Sequence, residues 1–188
     1  MIVPEVSLPD IYEPAEDSFL MIQAALAEVR ESDYVLEIGT GSGIVSMCLM
    51  DRAKVVATDI NPYAVTSARL NGVEVIRTDM FGGISGKFDL ILFNPPYLPT
   101  SKDEKVDGWI ECAWNGGRDG RTVINRFLGQ ANEHLGEGGR ILLLISSLTG
   151  IEQVKEKMES LGFAVDEVLS EKHFFERLVV LRGKRIVL

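Results

Sequence analysis

The ten residues 34–43 constrain the chain more than any others. Tyr34-Val35-Leu36-Glu37-Ile38 is a short, largely apolar run that leads directly into Gly39-Thr40-Gly41-Ser42-Gly43, and a helical pattern starts at Ile44 and continues to about Arg52. A core strand, a glycine-rich turn and a helix start, in that order, form a ligand-binding loop. The glycines let backbone approach a ligand where a Cβ would intervene.

The spacing narrows the ligand. A dinucleotide fingerprint beginning at Gly39 needs glycine at 44, and that residue is Ile44. The pattern here is ExGxGxG, with Glu37 two residues before the first glycine. A carboxylate at the end of a buried strand suits a cation better than a pyrophosphate. S-adenosylmethionine carries a sulfonium and an ammonium and no phosphate. The plainer alternative is a structural turn with a solvated Glu37.

Phe88-Asp89-Leu90-Ile91-Leu92-Phe93 reads as a strand buried on both faces, ending at Asn94-Pro95-Pro96-Tyr97. Neither proline can donate a backbone N–H, and Asn94, preceding a proline, is biased to an extended conformation. Such a strand end offers carbonyl oxygens and a flat ring to a planar group carrying N–H2. The two motifs together read as methyl transfer to a planar nitrogen.

Other strands also end in carboxylates. Lys54 to Asp59 is one, and Asp59 lies about 20 residues past the glycine turn, where an acid can bind ribose hydroxyls. The alternative for Asp59 is the cap of the helix that runs from Asn61-Pro62 to Leu70 and stops at Asn71-Gly72. Val73 to Arg77 reads as a third strand. Asp79 behind it could accept from an adenine amino group while Met80 packs on the ring, or simply form a turn before Gly82-Gly83.

Residues 1–12 read as extended, because Pro4 and Pro9 prevent helix. A helix then runs from Tyr12-Glu13-Pro14 to about Arg30, with Glu16, Asp17 and Ser18 as capping residues. The connection 98–118, with Trp109, Trp114 and Gly116-Gly117-Arg118-Asp119-Gly120, reads as an ordered, substrate-facing lid. Trp114 reads equally well as a pin into the core. A helix from Thr122 to about Leu135 places His134 as a favourable charge at its end. Gly136–Gly139 turn into a strand over Arg140–Ile145, followed by a helix from Gly150 to Leu161 and two antiparallel strands, Phe163–Leu169 and Arg177–Arg182. His173, between them, has no metal partners in sight. Five strand–helix alternations and a terminal strand pair predict a parallel α/β sheet with one reversed strand. Ligands then sit beyond the carboxyl ends of the strands, beside the first, where Glu37, the glycine turn, Asp59, Asp79 and Asn94 all fall.

The 188 residues suit one domain, 1–188, whose first 30 residues cover the ligand site. Twenty-eight acidic against 19 basic residues, a net charge of −9, argue against non-specific binding to nucleic acid. No signal peptide or membrane span is expected. Cys48 and Cys112, far apart and in no CxxC pattern, point to a reducing cytoplasm rather than to disulfides or structural zinc.

With these residues in place, the chain resembles a class I S-adenosylmethionine-dependent methyltransferase. Tyr12-Glu13-Pro14-Ala15-Glu16-Asp17-Ser18 and Glu111-Cys112-Ala113-Trp114-Asn115-Gly116-Gly117-Arg118-Asp119-Gly120-Arg121 resemble, more closely, the archaeal and eukaryotic branch of the HemK-type release-factor glutamine methyltransferases. The resemblance covers nearly the whole chain. It implies a Rossmann-like, seven-stranded, mostly parallel sheet with an antiparallel last strand and helices on both faces. It implies N5-methylation of the glutamine in the Gly-Gly-Gln loop of a class I translation termination factor. Ser18, Glu37, Gly39, Gly41, Gly43, Asp59, Asp79, Met80 and Asn94 would hold the cofactor. Asn94, Pro95, Pro96 and Tyr97 would hold the glutamine, with Asn94, Pro95 and Tyr97 catalytic and no metal. Ser18 stands where threonine is common. A small zinc-binding activator subunit would pair at the edge strand near Val73–Ile76.

Other readings compete. Adenine also presents a planar amino group and would stack on Tyr97, so a nucleic-acid amine methyltransferase is the main rival. Lysine methylation, a nicotinamide enzyme and a non-catalytic cofactor-binding scaffold stand behind it.

Overall fold

The computed structural model describes residues 10–100 and 108–186. The chain order is α1 (Glu16–Glu28), β1 (Tyr34–Ile38), α2 (Ile44–Leu49), β2 (Lys54–Asp59), α3 (Pro62–Leu70), β3 (Val75–Arg77), β4 (Phe88–Phe93), α4 (Thr122–His134), β5 (Leu135–Ser146), α5 (Ile151–Ser160), β6 (Phe163–Lys172) and β7 (Arg177–Arg185). Short 3-10 turns lie at Trp109–Ala113 and Ser147–Thr149.

The strands form one seven-stranded sheet in the order β3-β2-β1-β4-β5-β7-β6. β1 to β5 are mutually parallel, and β7 is antiparallel to both β5 and β6. The alternating side chains of the central strands explain why both faces are covered. Val35, Leu90, Leu92, Leu142 and Leu144 meet α1 and α2 through Leu20, Met21, Ile44 and Leu49. Their neighbours Leu36, Ile91, Ile141 and Leu143 meet α4 and α5 through Ile124, Phe127, Val154 and Met158. The strand order reverses between β1 and β4, which opens a crevice at their carboxyl ends.

One buried cation fastens α1 across this sheet. Arg140 is 1% exposed; its Nε lies 2.9 Å from Glu28 Oε1, and its guanidinium donates to Asp33 Oδ2 at 2.6 Å and Asp89 O at 2.9 Å. Arg182 joins the network at Glu28 Oε2, 2.9 Å away.

Several expectations change. β3 starts at Val75, not Val73, because Val73 packs beneath α3 with Val65 and Ala68. No helix separates β3 from β4; turns around Gly82 and Ile84 carry the chain across, so one expected strand–helix alternation is missing. β5 begins at Leu135, before the expected glycine turn, and its register on β4 shifts between Phe88 and Leu90. β6 and β7 extend to Lys172 and Arg185. His134 is an aromatic packing residue rather than a helix-end charge: its ring stacks on Phe81 at 4.4 Å, and burial lowers its pKa. The expected extended segment lies mostly in residues 1–9, outside the described residues. Among the described residues, no helix is long and apolar enough to cross a membrane.

Candidate active site

The ends of β1, β2 and β4, with α1 and the 109–117 segment, enclose a cavity of about 460 Å³. Asp17, Glu37, Asp59, Asp79 and Glu111 line it, with Arg126 as its basic side chain. That lining suits a cationic ligand and not a polyphosphate, which would require the opposite balance.

The glycine turn forms as the sequence requires. Gly39, Gly41 and Gly43 have φ of 66°, 57° and 87°. Gly39 and Gly41 line the cavity. Gly43 does not; it lies against α3 and Val73, where an added Cβ would come within 2.9 Å of Val73 Cγ2. Its role is to seat the turn, not to touch a ligand.

Glu37 holds the turn from below. Its Oε2 accepts from Thr40 Oγ1 at 2.7 Å, from Ser46 N at 3.1 Å and from the Ser46 hydroxyl. It is buried as well as lining the cavity, so the solvated alternative fails. Burial, with Asp59 nearby, pushes its pKa up to about 7 against the opposing hydrogen bonds.

Asp59 is likewise backbone-bound. Its carboxylate accepts from Gly41 N at 2.9 Å and Asn61 N at 2.8 Å. The cap of α3 is Asn61, which accepts from Tyr63 N at 2.9 Å, so Asp59 does not fill that role. Burial raises the Asp59 pKa despite these bonds.

Met80, at φ 53°, and Asp79 both line the cavity. Asp79 Oδ2 is bound by Arg126 at 2.6 Å. Arg126, on α4, is absent from the sequence reading, since nothing in a helical stretch signals which arginine reaches across to β3.

The Asn-Pro-Pro-Tyr turn holds the most informative contact. Asn94 Nδ2 donates to Asp17 Oδ2 at 3.0 Å. An ionised carboxylate only accepts, so this pairing orients the Asn94 amide. Asn94 Oδ1 is left buried with no partner among the described residues. Asp17 is itself held, through Oδ1, by Tyr12 Oη at 3.1 Å and Ser18 N at 2.7 Å. The capping reading of Asp17 therefore gives way to a longer-range one: α1 has no side-chain cap, and this carboxylate reaches 77 residues along the chain. Ser18 lines the cavity beside it, its hydroxyl 3.4 Å from Asp17 Oδ1.

Pro95 and Pro96 line the cavity, but Tyr97 does not; its ring packs with the α1-side core. Burial first, then the charges of Asp17 and Glu176, raise its pKa above the ordinary tyrosine value. The glycines of 116–120 wrap this turn closely. A Cβ on Gly116 would lie 2.9 Å from Pro96 O, and one on Gly120 would collide with Tyr97 O.

Of the expected lid, Trp109 lines the cavity and stacks beneath the Arg77 guanidinium at 5.6 Å. Trp114 is 40% exposed, so it is not a core pin. Residues 101–107 of the lid lie outside the described residues.

Comparison with known proteins agrees with this geometry. The family model "Methyltransferase small domain" matches residues 17–110. The chain is 44% identical to a provisionally named protein N5-glutamine methyltransferase of Methanocaldococcus jannaschii, over 95% of this chain and 93% of that one. It is 30% identical to the eRF1 methyltransferase catalytic subunit mtq2 of Schizosaccharomyces pombe, covering 94% and 90%. Among solved structures it resembles the E. cuniculi Mtq2–Trm112 complex responsible for the methylation of the eRF1 translation termination factor. That match has a TM-score of 0.79 and 30% identity, and covers 94% of this chain and 99% of that one. The chain belongs to the methyltransferase small-domain family, in the HemK-type glutamine methyltransferase branch of archaea and eukaryotes, with a class I methyltransferase fold.

Proposed function

We propose that this methyltransferase uses S-adenosylmethionine to methylate N5 of the glutamine in the Gly-Gly-Gln loop of a class I translation termination factor, in the cytoplasm. The observation that carries the reading is Asn94. Its Nδ2 is committed to Asp17, and its Oδ1 is buried and free to accept. A buried lone acceptor selects a substrate that donates, as the N–H2 of a glutamine amide does.

The bound cofactor would supply a methyl group on a positively charged sulfur. The carboxylates at the strand ends suit that charge, and Ser18, Glu37, Gly39, Gly41, Asp59, Asp79 and Met80 would hold it. An amide nitrogen is a weak nucleophile because its lone pair is delocalised. Asn94 Oδ1 and the Pro95 carbonyl would fix its two N–H groups and so aim the nitrogen at the methyl carbon. The same oxygens would stabilise positive charge growing on nitrogen. Pro96 would shape the pocket, and Tyr97, packed in the α1-side core behind it, would hold the turn in place rather than touch the substrate. The N–C bond would form as the methyl–sulfur bond breaks, its electron pair staying on a neutral sulfur, and the amide nitrogen would then give up one proton to solvent.

Residues 1–188 would act as one catalytic domain; of the expected 1–30 cover, the cavity-lining part from Ile11 to Ser18 would lie over the cofactor, and residues 1–9 fall outside the described residues. A small zinc-binding subunit would add to β3, the three-residue edge strand whose Ile76 is 45% exposed. The relative solved as a complex with Trm112 supports this assembly.

The test is methyl transfer from labelled S-adenosylmethionine to a termination factor, with and without the zinc-binding partner. The control is a factor whose loop glutamine is replaced. Label confined to the intact loop is expected. Label on both factors, or on nucleic acid instead, overturns the substrate.

A further inference from the structure

The face of the sheet at its carboxyl-end side carries exposed apolar side chains that do not line the cavity. Phe174 and Phe175 are 93% and 87% exposed, with their rings edge to face at 4.7 Å. They occupy the turn between β6 and β7, closed by His173 N donating to Glu176 O at 2.8 Å. Clustered exposed aromatics mark an interaction surface.

Topology places this turn beside the active site. Leu178 at the start of β7 pairs with Ser146 at the carboxyl end of β5, the edge of the sheet at which Asn94 also lies. Contacts then connect the two. Arg177 N donates to Ser147 Oγ at 3.0 Å, Arg121 donates to Thr149 O at 2.5 Å, and Gly120 packs on the Tyr97 backbone. Along this path lie further exposed apolar groups. Leu148 is 48% exposed, and Leu98 and Trp114, joined by a backbone bond of 3.1 Å, are 37% and 40% exposed. Glu176 lies close enough to contribute, after burial and Asp17, to the raised pKa of Tyr97.

The exposed charges on this side are slightly acidic in balance. Glu13, Glu16, Asp119 and Glu171 are exposed, against Arg118 and Lys172, while Arg121 and Arg177 are half-exposed and paired with Asp119 and Glu167. A partner covering this rim is therefore apolar at its centre, with a modest basic excess around it.

We infer that the rim of Leu98, Trp114, Leu148, Phe174 and Phe175 is the docking surface for the folded protein that presents the substrate glutamine. This rests on the function proposed above. A loop glutamine must enter the Asn94 pocket while the fold that carries it remains outside, and this rim is the surface that fold would meet. Phe174-Phe175 is its outermost point and grips the substrate away from the reacting amide.

The experiment compares wild type with the Phe174→Ser/Phe175→Ser double variant and with Leu148→Ser, each with the zinc-binding partner. Steady-state methyl transfer is measured on the intact termination factor and on a short peptide spanning Gly-Gly-Gln. Both variants change exposed side chains, and their melting temperatures should match wild type. The expected result for the double variant is a KM for the intact factor raised about tenfold, with kcat and the peptide KM unchanged. An unchanged KM for the factor overturns the inference. So does an equal loss on factor and peptide, loss of co-elution with the partner subunit, or a change in self-association, each of which assigns the rim elsewhere. Absence of label from wild type on the factor overturns the substrate reading itself and the inference with it.

Discussion

Replacing Asp17 by alanine isolates the orienting contact from the reacting one. Asp17 Oδ2 holds Asn94 Nδ2 at 3.0 Å, and among the described residues no other partner fixes which end of that amide faces the pocket. Without the carboxylate, the Asn94 amide can turn over and present N–H2 to a substrate that also presents N–H2. A hydrogen bond to a charged group contributes about 1.5–3 kcal/mol, and each 1.4 kcal/mol is a factor of about ten in rate. Turnover should therefore fall about 10- to 100-fold, with cofactor affinity changed by less than about threefold. Asp17→Asn, which still offers one acceptor oxygen, should lie between. Steady-state kinetics with the termination factor, paired with calorimetric titration of S-adenosylmethionine, separates the two quantities. If Asp17→Ala keeps wild-type turnover, or loses cofactor affinity in proportion to rate, the orienting role is refuted.

Further consequences concern pH, stability and assembly. Because burial raises the folded-state pKa of Glu37 to about 7 from 4.5, the unfolded chain gives up this proton first as pH rises. The Glu37 contribution therefore falls between about pH 4.5 and 7, by at most about 3 kcal/mol. Denaturant titrations of wild type against Glu37→Gln should show wild type losing relative stability over that window; a gap that widens in favour of wild type would contradict the sign. Arg140→Leu leaves buried Asp33 without its cation, Glu28 keeping only Arg182, and should cost about 3–5 kcal/mol in chemical unfolding, whereas a loss below about 1 kcal/mol would show the network to be dispensable. Ile76→Asp, on the exposed face of edge strand β3, should leave stability within about 0.5 kcal/mol yet abolish co-purification with the zinc-binding partner; retained pairing would move that interface elsewhere.

The parts legible in the sequence were those encoded locally. The glycine turn, the strand ends at Glu37, Asp59 and Asn94, and the terminal antiparallel pair are each written in a few adjacent residues, and all form as expected. What escaped depends on contacts distant in sequence. Asp17 is indistinguishable from a helix-start acid until α1 is laid over β4 by Arg140, itself an ordinary strand residue in the sequence. Arg126 at Asp79 is hidden for the same reason. The total of five alternations exceeds the four that form, because β3 passes to β4 through turns around Gly82-Gly83, where the sequence places a turn and no helix. His134 shows local preference losing to packing: its helix-end position favours a charge, but the face of Phe81 takes the ring.

The central claim is that Asn94 Oδ1 acts on the substrate amide rather than on the cofactor, and Asn94→Ala tests it most directly. Single-turnover rate and S-adenosylmethionine affinity should be measured on the same preparation, with the termination factor and the zinc-binding partner present. The account predicts a rate at least about 100-fold lower, with affinity changed no more than about threefold. Equal losses in rate and affinity would contradict it and make Asn94 a cofactor ligand first.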